Sequence, residues 1–401
     1  MLRTTAAFVM TLPLLIASGP TIGADNSDAS TAQSYIDAIE ARQAELGAYD
    51  PGLTELYQGL AHQYQEQGHH SEAINALQRA MHINRVEYGP YSILQEPMLR
   101  EMIPSLTAQG AIDKLAFNYH LLVGIYRKHY GQFDAKLLTV LNEASQWHRS
   151  QLRQTTFDIT NSHIGQMCEL SEEAEKIAKL LPDNNTEERI IPLQLQAECH
   201  YYNRLYEEDR WHSRAMSYSA FDDRQKQNQR REELRRHERE LYNLYQMGLA
   251  KLERVYQITV NDNSSPAHQA QAQIAIADWH LIHDRVQSAN DAYRLLWLRL
   301  DNNPDLQQEL FGRAVLLPNF IADTPPADAN RLAHVRLNIS ERGKPSRIRV
   351  LETLPEQDKQ TAKEAQRLIR NSLFRPHYKN GRPEELAEVD VTLPIKWKED
   401  N

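Results

Sequence analysis

The sequence predicts a mainly α chain, a solenoid of antiparallel helix pairs followed by a small α+β domain. Three observations lead there. Between about residues 34 and 317, apolar residues recur at helical spacing in segments that meet in pairs at a glycine or a polar turn. Residues 318–330 then hold two adjacent prolines, Pro325 and Pro326, and little that is apolar. Beyond them the hydrophobic period changes from helical to two, which is the signature of strands with one buried face. The chain has 401 residues, 41% hydrophobic and 25% charged, which suits a thin solenoid with much exposed surface.

The helical region is clearest at residues 54–85. Before Gly68, the residues Tyr57, Leu60, Ala61 and Tyr64 fall on one helical face; after it, Ala73, Leu77 and Ala80 do the same. Small residues let two antiparallel helices approach, and Gly68 can take the positive φ of a tight helix exit. This pattern resembles a tetratricopeptide repeat, whose period is about 34 residues. Such a repeat cannot bury its apolar face by itself, so the resemblance implies neighbouring helix pairs. A first helix is expected at 34–46, ahead of an Asp50-Pro51-Gly52 turn. A second, divergent pair follows, with Leu99, Met102, Ile103 and Leu106 before Gly110 and Leu115, Tyr119, Leu122 and Ile125 after it. Pro104 is expected to kink its first helix. A third unit is expected at 131–151, then helices at 161–181 and 187–211 and a loop at 216–221.

Residues 222–260 read as one long helix. Leu234, Leu241, Gly248 and Val255 lie seven apart, with Tyr245 and Leu252 between. Either the helix packs on its neighbour with a solvated charged end, which the short seam favours, or it forms a coiled-coil arm. The repeat pattern returns at 271–300: Ile276, Ala277 and His280 before Asp284, then Ala289, Tyr293 and Leu296. A closing helix is expected at 306–317.

In the C-terminal region Val335, Leu337 and Ile339 alternate with polar residues, as do Ile348 and Val350, and later Val389, Val391, Leu393 and Ile395. An amphipathic helix at 358–373 separates the second and third runs, so the order is strand, strand, helix, strand. Trp397 continues the last alternation and is expected to face the helix. Phe374-Arg375-Pro376, then Asn380-Gly381-Arg382-Pro383, and the closing Val391-Thr392-Leu393-Pro394-Ile395-Lys396-Trp397 make residues 328–398 resemble the C-terminal domain of the TonB family. The resemblance implies a periplasmic domain of a Gram-negative bacterium that captures an extended peptide as an added strand. The edge so implied is Val389, Val391, Leu393, Ile395 and Trp397. Pro394 cannot donate a ladder hydrogen bond, so it either marks such an edge or protects it.

The N-terminus sets the compartment. Arg3 is the only charge before Asp25, an apolar run follows, and Ile22-Gly23-Ala24 offers small residues for cleavage. Residues 1–24 therefore read as a secretory signal peptide. The competing expectation is a segment at 5–23 retained as an inner-membrane anchor. The domains expected are 1–24 signal peptide, 25–317 helical repeats, 318–330 linker and 331–401 TonB-like domain.

Chemistry finds no foothold. The formal net charge of -9 argues against nucleic-acid binding by the whole chain. His69-His70 sits at a polar repeat turn, His280 and His283 fall in a repeat helix, and no His follows His237-Glu238 at the zinc-protease spacing. No Gly-rich phosphate loop or Gly-x-Ser-x-Gly elbow occurs, so no enzyme, cofactor, metal or small-molecule substrate is expected. Two cysteines, Cys168 and Cys199, flank the turn at 182–185 at about equal helical distance, so an antiparallel pair brings them level. In an oxidising compartment they are expected to bond, the alternative being two buried thiols. Residues 331–401 carry 15 Lys and Arg against 11 Asp and Glu, a mildly basic tail on an acidic chain. The reading is a periplasmic adaptor: the solenoid holds one protein partner, and the C-terminal domain binds a second, of the outer membrane or envelope, by strand addition. The competing reading is an anchored energy transducer acting on outer-membrane transporters.

Overall fold

The computed structural model describes residues 25–152, 160–182, 185–215, 224–318 and 331–395. The expected signal peptide, the 216–221 loop, nearly all of the 318–330 linker, and Trp397 lie outside the described residues. The chain divides into two compact units, at Ile125 and Tyr126.

The first unit holds α1 (Asp25–Leu46), α2 (Leu53–Glu66), α3 (His70–Tyr88), α4 (Glu96–Ala108) and most of α5 (Ile112–Tyr130). Helix α1 starts at Asp25 rather than at residue 34. Local bonds support the early turns: Ser34 Oγ donates to the Thr31 carbonyl at 2.7 Å and Gln33 Nε2 to Asp37 at 2.8 Å, and Ala32 is buried. Leu60 and Ala61 of α2 pack with α3, whose Ala73, Leu77 and Ala80 are wholly buried. Tyr57 and Tyr64 are half-buried at the flanks. Gln58 and Gln65, one heptad apart on α2, reach α4 through Glu101 and Ser105, which ties the first helices of successive pairs together.

The helix exits share one device. Gly68 (φ 74°), Gly110 (φ 61°) and Asp284 (φ 57°) each take the left-handed conformation. The next residue's N–H then reaches back across the turn: His69 to Tyr64, Ala111 to Leu106 and Arg285 to His280, at 2.8, 3.0 and 2.9 Å. That 6→1 bond is the Schellman closure, and it satisfies a carbonyl the helix end leaves open. Aspartate is among the few non-glycine residues that visit this region.

The second unit continues with α6 (Ala135–Leu152), α7 (Thr160–Ala178), α8 (Thr186–Ala215), α9 (Arg224–Asn261), α10 (Pro266–Ile282), α11 (Val286–Arg299) and α12 (Pro304–Phe311), and from α6 to α11 each packs on the next. Helix α9 lies along α8, and its second half also meets α10, burying Tyr245, Leu252 and Val255. Leu234, in the charged half, is 41% exposed, so the heptad seam is buried only where neighbours exist. Gly248 belongs to the same face because the Trp279 ring occupies the place of its missing Cβ. Cys168 and Cys199 form a disulfide across α7 and α8, with Cα atoms 5.6 Å apart.

The closing helix is shorter than expected. Helix α12 ends at Phe311, and Leu316–Leu317 forms a strand, β1, paired with β4 (Leu373–Phe374). The pairing competes successfully because its two strands bury Leu317 and Phe374. The main sheet is antiparallel in the order β3 (Pro345–Leu354), β2 (Arg331–Ile339), β7 (Leu386–Ile395). Helix α13 (Lys359–Asn371), N-capped by Asp358, covers one face; Ala333, Val335, Leu337 and Ile339 of β2 meet Ala365 and Ile369 in a core that Phe374 joins. The strand–strand–helix–strand order holds, with an additional hairpin, β5 (His377–Lys379) and β6 (Arg382–Glu384), inserted before β7. Asn380 and Gly381, both at positive φ, make its two-residue turn.

Candidate functional site

The sheet leaves β7 on the outside. Strand β7 pairs with β2 in unbroken register from Val389 opposite Leu337 to Ile395 opposite Arg331. Its other edge carries no strand among the described residues. Leu393 and Ile395 are buried under α13, and Val389 and Val391 are half-buried on the same face. On the solvent face, Arg336 holds Asp390 through two bonds of 2.7 and 2.8 Å, and Thr392 meets His334 at 2.9 Å. The start of β7 is pinned by Asn338, which donates to Glu385 and accepts from the Glu388 N–H. Strand β3, the opposite edge, is irregular: its register shifts twice against β2, and Arg347 sits at positive φ.

The Phe374-Arg375-Pro376 segment does not cap a helix; α13 has already ended at Asn371. Phe374 is buried in the sheet core, and its N–H donates to the Gly343 carbonyl at 2.8 Å. A Cβ on Gly343 would strike the Phe374 carbonyl, so this close approach requires glycine. Arg375 turns the other way, into the last helix pair. Its Nε and Nη2 donate to the two carboxylate oxygens of Asp278 on α10, at 2.9 and 2.6 Å, and Nη1 donates to the Leu310 carbonyl at 3.0 Å. Tyr293 of α11 donates to the same carboxylate at 2.6 Å. Burial disfavours the Arg375 charge, but the carboxylate more than offsets it and the pKa is raised; burial, with Asp278 beside it, drives the Tyr293 hydroxyl well above its ordinary value. Tyr378 completes the plug, buried among Ala277, Ala289, Tyr293, Leu296 and Phe311. Gly381, at the hairpin tip, lies against Trp297, while Pro383 is half-buried.

Sequence reasoning missed this junction. The available signal was Asp278 itself, a carboxylate on the helix stripe of Ile274, Ala277 and Leu281, which needs a cationic partner when buried. Among the repeat positions, Ala277, Ala289, Tyr293 and Leu296 are buried and Ile276 is half-buried. His283 is buried more deeply than His280: its Nδ1 lies 2.8 Å from the Trp279 carbonyl, and burial holds its pKa at about 3. No group of His, Cys, Asp and Glu among the described residues is placed to hold a metal ion.

A concave feature lies in the first unit. Helix α4 forms the floor of a trough with Leu99, Met102 and Leu106; α3 and α5 form its walls.

No protein-family model and no curated protein matches the chain. Among solved structures, it is similar to the kinesin light chain TPR-like repeats of Podosopora anserina, at a TM-score of 0.40 and 15% identity over 65% of this chain and 97% of that one. A point variant of those repeats matches with the same TM-score and identity. BtubC (BKLC) from P. vanneervenii matches at a TM-score of 0.38 and 15% identity, over 71% of this chain and 93% of that one.

Proposed function

We propose that the chain is a non-enzymatic adaptor of the cell envelope, in which helix pairs hold one protein partner and the C-terminal sheet takes an extended peptide from another. The observation that carries this reading is the β7 edge. It is regular over Val389–Ile395, backed by a packed face, and free of a strand on its outer side among the described residues. An extended peptide gains affinity there from main-chain hydrogen bonds and specificity from alternate side chains. The competing edge, β3, is bulged and is the less suitable template. The domain division at 318–330, the signal peptide at 1–24 and the periplasmic location belong to the same proposal. The Cys168–Cys199 bond supports an oxidising compartment.

Site-specific photo-crosslinking in cells tests the edge. A crosslinker at position 392, exposed on β7, is expected to capture envelope proteins; one at position 367, on the outer side of α13, is not. Equal adducts at both positions would refute strand addition. N-terminal sequencing locates the start of the mature chain. A start near Asp25 supports the periplasmic adaptor, and an intact Met1 in the membrane fraction supports the anchored alternative.

A further inference from the structure

We propose that the trough over α4, between α3 and α5, is the docking site for an acidic amphipathic helix of the partner held by the helix pairs. This rests on the adaptor reading above and adds the partner's chemistry. The trough holds about 500 Å³ and is lined by three stripes. Helix α3 contributes Gln78, Met81, His82 and Arg85, α4 contributes Leu99, Met102 and Leu106, and α5 contributes Asp113, Lys114, Phe117, Asn118 and Leu121. On each helix the spacing is three to four residues, so each stripe follows one face for about two turns. The floor residues are almost fully buried, whereas Phe117 stands on the wall 62% exposed. Two methionines, Met81 and Met102, give this apolar lining adaptability.

The occupant's backbone must satisfy itself. Floor and walls are all helices, whose interior backbone groups pair within each helix apart from the one N–H that Pro104 lacks on α4, so no ladder is offered to an extended peptide. The Leu99 carbonyl also accepts the Asn118 side chain at 2.7 Å. A helix meets that condition and presents apolar residues at i, i+3, i+4 and i+7 to the floor. Charge selects its sign. Helices α3 and α5 both run opposite to α4, which places Arg85 at one end of the trough and Lys114 at the other. His82 lies on the wall, and Asp113 is the one acidic residue in the lining. A helix with carboxylates flanking its apolar face meets a cation at each end.

The test uses the full-length protein and two designed four-turn helical peptides. Both carry Leu on one face; one has Glu on the flanks and its twin has Lys. Fluorescence anisotropy is expected to show the Glu peptide binding at least about tenfold more tightly than its twin. Phe117→Ala is expected to weaken it about tenfold, as for an aromatic anchor, and Lys114→Glu to abolish or reverse the preference for Glu. Both side chains are exposed, so circular dichroism should be unchanged. Equal binding of the two peptides, no binding of either, or indifference to Phe117→Ala overturns the proposal. Concentration-dependent sedimentation abolished by Phe117→Ala also overturns it, by assigning the trough to a second copy of the chain. A crosslinker at position 117 separates the two readings. Capture of an envelope protein there that the Glu peptide fails to displace rejects the acidic helix and leaves the adaptor standing; absence of adducts at both 117 and 392 rejects the adaptor.

Discussion

Arg375 and Asp278 show how much one buried pair can decide. The guanidinium is 6% exposed and donates three bonds, two to the Asp278 carboxylate and one to the Leu310 carbonyl, so removing either member of the pair strands a charge in the core. Arg375→Ala or Asp278→Ala is expected to lower unfolding free energy by about 3–5 kcal/mol, read from urea denaturation. Replacing both with apolar residues of similar volume should cost far less, because no uncompensated charge is left. Gly248 is the steric counterpart. In an exposed helix, Gly→Ala would gain about 1 kcal/mol; here the new methyl meets the ring of Trp279, which is 1% exposed and held by its bond to the Tyr245 carbonyl. Gly248→Ala is therefore expected to destabilise by about 1–3 kcal/mol, and a gain on thermal melting would contradict the packing. Glu175 sets a pH dependence. Burial would raise its carboxyl, but bonds from Lys251, Gln196 and Lys179 reverse this and hold the pKa at about 2. A folded pKa below the unfolded value gives stability that is fully present above about pH 4.5 and is lost as pH falls toward 2, on the order of 3 kcal/mol at most. Glu175→Gln should flatten urea-measured stability in that window. The loss between about pH 6.5 and 4.5 due to His148, which stays neutral in the fold because burial, with His163 beside it, holds it at about 4, should persist.

At the scale of elements, the sequence was most legible where one local rule governs. The turns at Gly68 and Gly110 follow from the positive φ that glycine permits, and Asp284 fills the same role because the helix exit asks for a backbone conformation rather than for one residue type. The amphipathic period of α13 and the alternation of β2 and β7 likewise come from a single buried face each. What could not be read depends on distant partners. Leu316–Leu317 carries an apolar pattern that extends a helix as well as it makes a strand, and only Leu373–Phe374 decides for the strand. Arg375 has a motif neighbourhood but no local sign of Asp278, which lies far away in sequence. The trough likewise depends on three helices converging, and the single-helix patterns named its floor residues only as core. The cysteine pair was legible because each cysteine lies at about the same distance from the turn at 182–185, which makes a level contact geometric. Its sequence separation of 31 residues gives an expected stabilisation of about 3–4 kcal/mol in the chain-entropy account. Cys168→Ser with Cys199→Ser should show that loss in denaturant, with the helical circular dichroism retained.

At the scale of the whole molecule, the question is where the C-terminal domain begins. Composition places the boundary at 318–330, and on that ground residues 323–401 form a candidate independent domain. The contacts pull the other way. Strand β1 lies before the linker but pairs with β4 after it. Arg375 takes its counter-ion from α10 and a carbonyl from α12, and His377 Nδ1 lies 2.8 Å from the Phe311 carbonyl. Tyr378 fills the core of the last helix pair, where it sits 5.6 Å from the Tyr293 ring and 5.4 Å from that of Phe311, centroid to centroid. A helical stack needs its terminal apolar face covered, and this segment supplies the cover from the far side of the linker. A fragment from residue 323 would keep the sheet and α13 but expose Tyr378 and leave Arg375 without its carboxylate. A fragment from residue 264 would keep α10, α11 and α12 as well. The longer fragment is therefore expected to unfold cooperatively, and the shorter one to be less stable by several kcal/mol on the order of the apolar burial lost around Tyr378, since its Arg375 is solvated rather than stranded. Paired urea titrations with a tryptophan fluorescence and circular dichroism readout check it. A midpoint for the short fragment no lower than that of the long one would show that the docked segment contributes nothing and that the boundary lies where composition puts it. A fragment from residue 264 carrying Asp278→Ala should fall toward the behaviour of the short fragment, which assigns the difference to this junction rather than to chain length.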